Sequence, residues 1–240
     1  MDQRSPQPGF DAASSPVRRP HVKICGLRTE AMIETVLSRG AREIGFVHFE
    51  ASPRHVPIEA LSRLKTHVAG HALVTIVTVD PDDDLLERLM ERVRPEILQL
   101  HGGETPARVA EIAARTGIAT MKAISIASTA DLEKIALYRP VADRILLDAK
   151  APKTSVIPGG NGVSFDWSLL GALGPEPDIV LSGGLNADNV GEAVRIVRPR
   201  GLDVSSGVER APGEKDAGLV HRFFDALDAA LLIDPERRAS

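Results

Sequence analysis

Short apolar runs alternate with amphipathic segments eight times along this chain, at a spacing of about 25 residues, and no feature constrains its fold more. The runs lie at His21–Cys25, Glu43–Phe49, His71–Val79, Glu96–Leu100, Ile118–Ile126, Arg144–Asp148, Asp178–Gly184 and Gly201–Gly207. They show little polar alternation, the pattern of strands buried on both faces of a parallel sheet. Between them, Thr29 can cap a helix that Gly40 ends, Pro57 opens another, and the acidic start of PDDDLLERLMERV suits a helix N-terminus. Further helices are expected from about Thr105 to Arg115, over STADLEKIAL and NVGEAVRIV, and from about Asp216 to Leu232; a long Gly/Pro loop precedes Trp167. Strict alternation specifies an α/β fold. Eight units in roughly 215 residues fit a single (β/α)8 TIM barrel near the small end of its range. A doubly wound open sheet satisfies the same alternation, although the first run lacks the G-x-G-x-x-G turn of a dinucleotide site.

The division of the chain follows. Residues 1–20 are rich in Pro, Ser and charge without hydrophobic period, and are expected to be a disordered N-terminal tail; they contain no apolar h-region of a signal peptide. Residues 21–234 form the expected barrel, and 235–240 a loose C-terminal end. Aromatic residues are only 3%, so the core must be built from Ala, Val, Ile and Leu. The single cysteine, Cys25, excludes an internal disulfide and fits a reducing compartment, hence an expected cytoplasmic location. A net charge of −4 gives no general attraction to nucleic acid, and no apolar run is long enough to cross a bilayer.

In such a barrel the chemistry sits where the strands end. Cys25 ends the first run, His101 follows the fourth, Asp148 ends the sixth, Asp203 lies in the eighth, and Arg54 lies in the loop after the second. A thiol and a carboxyl facing each other across the mouth would make a base–acid pair. Taken singly, Cys25 also reads as a small buried hydrophobe, Asp148 as a turn cap and His101 as a loop histidine. The turns Ser182–Gly184 and Ser205–Gly207 end the last two runs, where this fold commonly binds phosphate, because glycine lets backbone N–H groups approach an anion. No P-loop and no Cys/His metal pattern is present, so neither a nucleoside triphosphate nor a metal is implied.

Seven segments together carry a resemblance. KICGLRT (Lys23–Thr29), GFVHFEASPRHV (Gly45–Val56), QLHGGE (Gln99–Glu104), ILLDAK (Ile145–Lys150), GGNGVSFDW (Gly159–Trp167), LSGGLNADNV (Leu181–Val190) and DVSSGVERAPGEKD (Asp203–Asp216) occur in this order. The chain resembles the phosphoribosylanthranilate isomerases of tryptophan biosynthesis from about His21 to Leu232. The resemblance implies a (β/α)8 barrel and a cofactor-free Amadori rearrangement of an aminoaldose, N-(5-phosphoribosyl)anthranilate, to its aminoketose. It implies Cys25 as general base, Asp148 as general acid and Arg54 on the anthranilate carboxylate. Gly183, Gly184, Ser205, Ser206 and Gly207 would hold the phosphate, and Lys23, His101 and Asp203 match further substrate-site positions. The partner expected is therefore a small anionic substrate carrying phosphate and carboxylate, with the protein a monomer or homodimer. Lys23 lies two residues before Cys25 on one strand face, so its charge is expected either to help hold a thiolate or to pair structurally inside the barrel. The sequence departs from the family at His48 and His55, where phenylalanine or tyrosine is usual, and at Asn161. The two histidines are expected to alter packing around the anthranilate ring, and Asn161 a phosphate or loop contact. A related phosphosugar isomerase and a non-catalytic phosphosugar-binding barrel are the competing readings. Arg54 argues against the first, and the presence of both Cys25 and Asp148 against the second.

Overall fold

Helix entry is set by short polar side chains at the expected places. Thr29, Asp82 and Thr105 each accept a hydrogen bond from a first-turn backbone N–H, opening α1 (Glu30–Ser38), α3 (Asp83–Arg92) and α4 (Pro106–Thr116). Pro57, with fixed φ and no N–H to satisfy, opens α2 (Ile58–Val68). These helices follow β1 (His21–Cys25), β2 (Glu43–Val47), β3 (Leu73–Thr78) and β4 (Ile97–Leu100). The second half continues with β5 (Ala119–Ile126), α5 (Glu133–Tyr138), β6 (Arg144–Ala149), β7 (Val180–Leu181), α6 (Val190–Val197), β8 (Gly201–Val204) and α7 (Ala217–Ile233). The computed structural model describes residues 19–149, 159–160, 166–174 and 177–233. Of the expected tail over residues 1–20, residues 1–18 lie outside the described residues, as do the expected C-terminal end over 235–240 and Asn161. The last two tail residues are described, and there Arg19 pairs with Asp228 of α7 at 2.9 Å while Pro20 is buried.

Eight parallel strands pair in sequence order, and β8 returns to β1 through His21↔Gly201 and Lys23↔Asp203. The sheet is a closed barrel, not an open one. Closure gives every strand two differently buried faces. Ile24, Ile44, Phe46, Ile76, Leu98, Leu100, Ile145 and Leu147 join the helices in one large core. Ile97, Met121, Ala123, Leu146 and Val180 fill the barrel separately. Both faces are shielded from water, which is why polar alternation is faint in the sequence. α7 seals the outside with Val220, Phe223, Phe224 and Leu227, all fully buried. Among the described residues no helix is long and apolar enough to cross a membrane.

Four features differ from expectation. The seventh run forms only a two-residue strand, because Ser182 and the positive-φ pair Gly183–Gly184 leave the sheet at once. STADLEKIAL is split: Ser128 and Asp131 form a capping box around a 3-10 turn, Thr129–Leu132, before α5 begins. A 3-10 helix, Trp167–Leu173, stands between β6 and β7. After β8 a small hairpin, β9 (Glu209–Ala211) with β10 (Glu214–Lys215), was not expected at all.

The base of the barrel encloses a charged cluster. Glu43 is 1% exposed; its Oε2 lies 2.9 Å from His21 Nε2 and accepts from Arg144 at 2.8 Å, while Oε1 accepts from Thr75 at 2.5 Å. Burial alone would raise the Glu43 carboxyl, but the His21 hydrogen bond and the Lys23 and Arg144 charges outweigh it and hold the carboxyl at about 2. Since an unfolded glutamate titrates at about 4.3, this group contributes stability in full above that pH and loses it as pH falls towards 2. Calorimetric melting of the wild type and Glu43→Gln should therefore show a gap in Tm that is widest above pH 5 and narrows as the solution is acidified. A gap independent of pH would contradict this.

Candidate active site

At the C-terminal ends of the strands lies a cavity with about 780 Å3 of open space. Its two sides differ chemically. On the β2–β3 side are Val47, Phe49, Val77 and Val79, with Arg54 from the loop after β2. On the β7–β8 side are Ser182, Gly183, Gly184, Ser205 and Ser206, whose turns present backbone and hydroxyl groups. Cys25, from β1, and Asp148, from β6, both reach the same cavity, with His101 and Asp203. In the closed strand order β7 and β8 separate β6 from β1 on one side, as expected for groups facing each other across the mouth. The β7 and β8 turns pack directly on one another: a Cβ on Gly207 would lie 1.8 Å from the Leu185 carbonyl oxygen, so only glycine fits.

The cavity floor is a continuous polar chain. Lys23 Nζ donates to Asp203 Oδ1 at 3.0 Å and to Gln99 Oε1 at 2.7 Å. Gln99 Nε2 lies 2.8 Å from His101 Nδ1, and His101 Nε2 lies 3.2 Å from Asp148 Oδ2. The other Asp148 oxygen accepts the Ala149 N–H at 2.9 Å. Burial pushes the Cys25 thiol up from its ordinary value, with the Lys23 ammonium pulling it back and Asp203 adding to the rise. Burial likewise raises Asp203, against the pull of Lys23. Cys25 and Lys23 crowd one glycine of β2. A Cβ at Gly45, the register partner of Cys25, would lie 2.9 Å from both Cys25 Sγ and Lys23 Cε. Both side chains of β1 owe their space to its absence.

Arg54 is 5% exposed and more committed than the sequence suggests. Its Nε and Nη2 form a parallel pair to Glu209 at 2.8 and 2.7 Å, and Nη2 also donates to the Gly160 carbonyl at 3.1 Å. That leaves Nη1 as the end that neither partner engages. Lys215 joins the cluster, donating to Glu209 at 2.7 Å and to the Ser205 carbonyl at 2.9 Å. Burial lowers Lys215, with Glu209 opposing; Glu209 is lowered by its Arg54 and Lys215 partners in spite of its own burial. The β9–β10 hairpin thus ties the Arg54 loop to the β8 turn.

Of the residues singled out from the sequence, Lys23 and Gly207 are not on the cavity wall. Lys23 lies beneath it, 1% exposed, so it bears on a ligand only through Gln99, Asp203 and Cys25. His48 and His55 are not among the residues that line the cavity either, although Val47 and Phe49 beside His48 are. Their rings sit 5.0 Å apart, His48 Nδ1 bonded to the Val56 carbonyl and His55 Nδ1 buried without a hydrogen-bond partner among the described residues. Sequence reasoning missed Gln99, Glu209 and Lys215. Gln99 precedes His101 by two residues and shares its strand face, and the Pro212–Gly213 pair signals the hairpin turn. Among the described residues no group of three or more His, Cys, Asp or Glu could hold a metal ion.

The comparisons agree with this geometry. A family model described as N-(5'phosphoribosyl)anthranilate (PRA) isomerase matches residues 22–226. An N-(5'-phosphoribosyl)anthranilate isomerase of Chelativorans sp. (strain BNC1) is 53% identical over 209 residues, which are 87% of this chain and 96% of that protein. The crystal structure of phosphoribosyl anthranilate isomerase from Thermotoga maritima superposes with a TM-score of 0.78 at 32% identity, covering 88% of this chain and 99% of that one. A further crystal structure of the isomerase, in complex with reduced 1-(o-carboxyphenylamino)-1-deoxyribulose 5-phosphate, gives 0.75 at 32% identity over the same shares. With a family match over most of its length and a relative more than half identical, the chain belongs to the N-(5'-phosphoribosyl)anthranilate isomerase family.

Proposed function

We propose that this chain converts N-(5'-phosphoribosyl)anthranilate to its aminoketose in tryptophan biosynthesis, with Asp148 as general acid and Cys25 as general base. One observation carries the reading: the thiol and the carboxyl open into a single cavity whose opposite sides suit the two ends of that substrate. The apolar β2–β3 side with Arg54 fits a carboxylated aromatic ring. The glycine and serine turns of β7 and β8 fit a phosphate.

Asp148 gives a proton to the furanose ring oxygen as the C1′–O bond breaks, and the nitrogen lone pair forms an iminium. The Cys25 thiolate then takes the proton from C2′. The C–H electrons become the C1′=C2′ bond, and the iminium pair returns to nitrogen, giving an enolamine. Tautomerisation adds a proton at C1′ and removes one from O2′, leaving the ketone. One proton has been given and one taken, so passing one from the thiol to the carboxylate resets the site. Burial of Cys25 works against its ionisation, and the Lys23 ammonium beneath it offsets that cost.

The activity is tested by adding the purified protein to freshly made phosphoribosylanthranilate and following loss of its fluorescence, with and without chelator. Turnover unaffected by chelator is expected; no turnover would refute the reading. Cys25→Ala should fold normally yet lose about 10²–10⁴-fold in kcat, the usual cost of a missing general base. Near-wild-type turnover would remove Cys25 from that role. Asp148→Asn should lower kcat with little change in affinity, whereas an effect confined to KM would make Asp148 a binding group only. Arg54→Lys should weaken a carboxylate-bearing product analogue by about 1.5–3 kcal/mol and leave a decarboxylated one almost untouched. Calorimetric titration of both ligands subtracts any effect of disturbing Glu209, and equal losses would show that Arg54 does not read the carboxylate.

A further inference from the structure

Gln99 sits fully inside the barrel, 1% exposed, as the sole hydrogen-bonded link between the Lys23 ammonium and the His101 ring among the described residues. Its neighbours leave it no choice of orientation. An ammonium has donors only, so the Gln99 atom 2.7 Å from Lys23 Nζ must be the carbonyl oxygen. The amide nitrogen, also donor only, then faces His101 Nδ1 at 2.8 Å. Nδ1 must therefore be the bare, accepting nitrogen of that ring, and the single proton of the neutral imidazole sits on Nε2. From there it points at Asp148 Oδ2, 3.2 Å away.

We infer that Gln99 is a positioning residue that fixes His101 as the Nε2–H tautomer and thereby closes the imidazole to the proton of Asp148. The inference rests on Asp148 being the acid. Its Oδ1 is held by the Ala149 N–H and its Oδ2 by His101 Nε2–H, so a proton on the carboxyl has no acceptor in the ring beside it. His101 cannot take that proton at Nε2, which already carries one, and a second proton at Nδ1 would meet the Gln99 NH₂ group head on. The proton is left to the cavity, where the substrate lies. The amide also interrupts any proton path along the floor, because it accepts at one end and donates at the other without exchanging. Lys23 and Asp203 are thereby separated from Asp148, although all three belong to one hydrogen-bonded chain.

Gln99→Glu reverses the polarity at one atom: a carboxylate accepts both from Lys23 and from a protonated Nδ1. The ring can then hold two protons and draw off the one on Asp148. The experiment is ¹⁵N NMR of histidine-labelled protein at neutral pH, with His101 assigned by its loss in His101→Gln, alongside steady-state kinetics. Wild type should show His101 with Nε2 protonated and Nδ1 bare. Gln99→Glu should show both nitrogens protonated, and kcat should fall by about 10–100-fold with KM within threefold, a loss on the scale of general-acid catalysis. An Nδ1–H or doubly protonated His101 in the wild type would overturn the inference, whether or not the variant folds. An unchanged His101 spectrum in folded Gln99→Glu would overturn it too. A switched spectrum with undiminished kcat would uphold the tautomer lock and instead remove Asp148 as the acid.

Discussion

The buried ammonium of Lys23 organises the floor of the barrel. A charge enclosed there must be compensated, and removing a partner from such a group typically costs about 3–5 kcal/mol. Asp203, its register partner on β8, supplies the opposite charge, and Gln99 on β4 supplies a second acceptor. From that requirement the rest follows in order. Gln99 is oriented, His101 is oriented by Gln99, and Asp148 receives its hydrogen bond from His101. Cys25, two residues beyond Lys23 on the same strand, feels the ammonium as the main force opposing its burial.

The walls above this floor are held by a second ionic cluster of different design. Glu209 gathers Arg54 and Lys215, joining the loop after β2 to the hairpin after β8. Its task is mechanical as well as electrostatic. With two guanidinium nitrogens anchored, Arg54 loses the rotamer freedom of an exposed arginine, and a ligand meets a group already in place. Arg54 Nε and Nη2 are spent on Glu209, so the proposed contact with a substrate carboxylate falls to the Nη1 end. Electrostatic preorganisation of this kind does its work before the substrate arrives.

Much of this was legible in the sequence because barrel closure repeats one simple rule eight times. The strand-ending residues Cys25, His101 and Asp148 and the paired Ser/Gly turns could be picked out from position alone. The β7 turn was harder: DIVLSGG reads as one continuous run, yet the strand stops after Leu181 where the glycines take positive φ. Gln99, Glu209 and Lys215 were hidden for another reason. Lys23–Gln99 spans 76 residues and Arg54–Glu209 155, contacts that only closure creates, and the local signals were limited to the two-residue step from Gln99 to His101 and the Pro212–Gly213 turn between Glu209 and Lys215.

The central claim is that one cavity sets a thiol and a carboxyl on the two reacting positions of a carboxyphenylamino sugar phosphate. A crystal structure of this protein with the reduced product analogue tests it most directly. The account predicts Cys25 Sγ and the Asp148 carboxyl within about 3–4 Å of C2′ and of the oxygen at C4′, as reacting groups must be. It also predicts the phosphate on the Gly183–Gly184 and Ser205–Ser206 turns and the carboxylate at Arg54. An analogue bound in the reverse sense, or with either group out of reach of its atom, would contradict it.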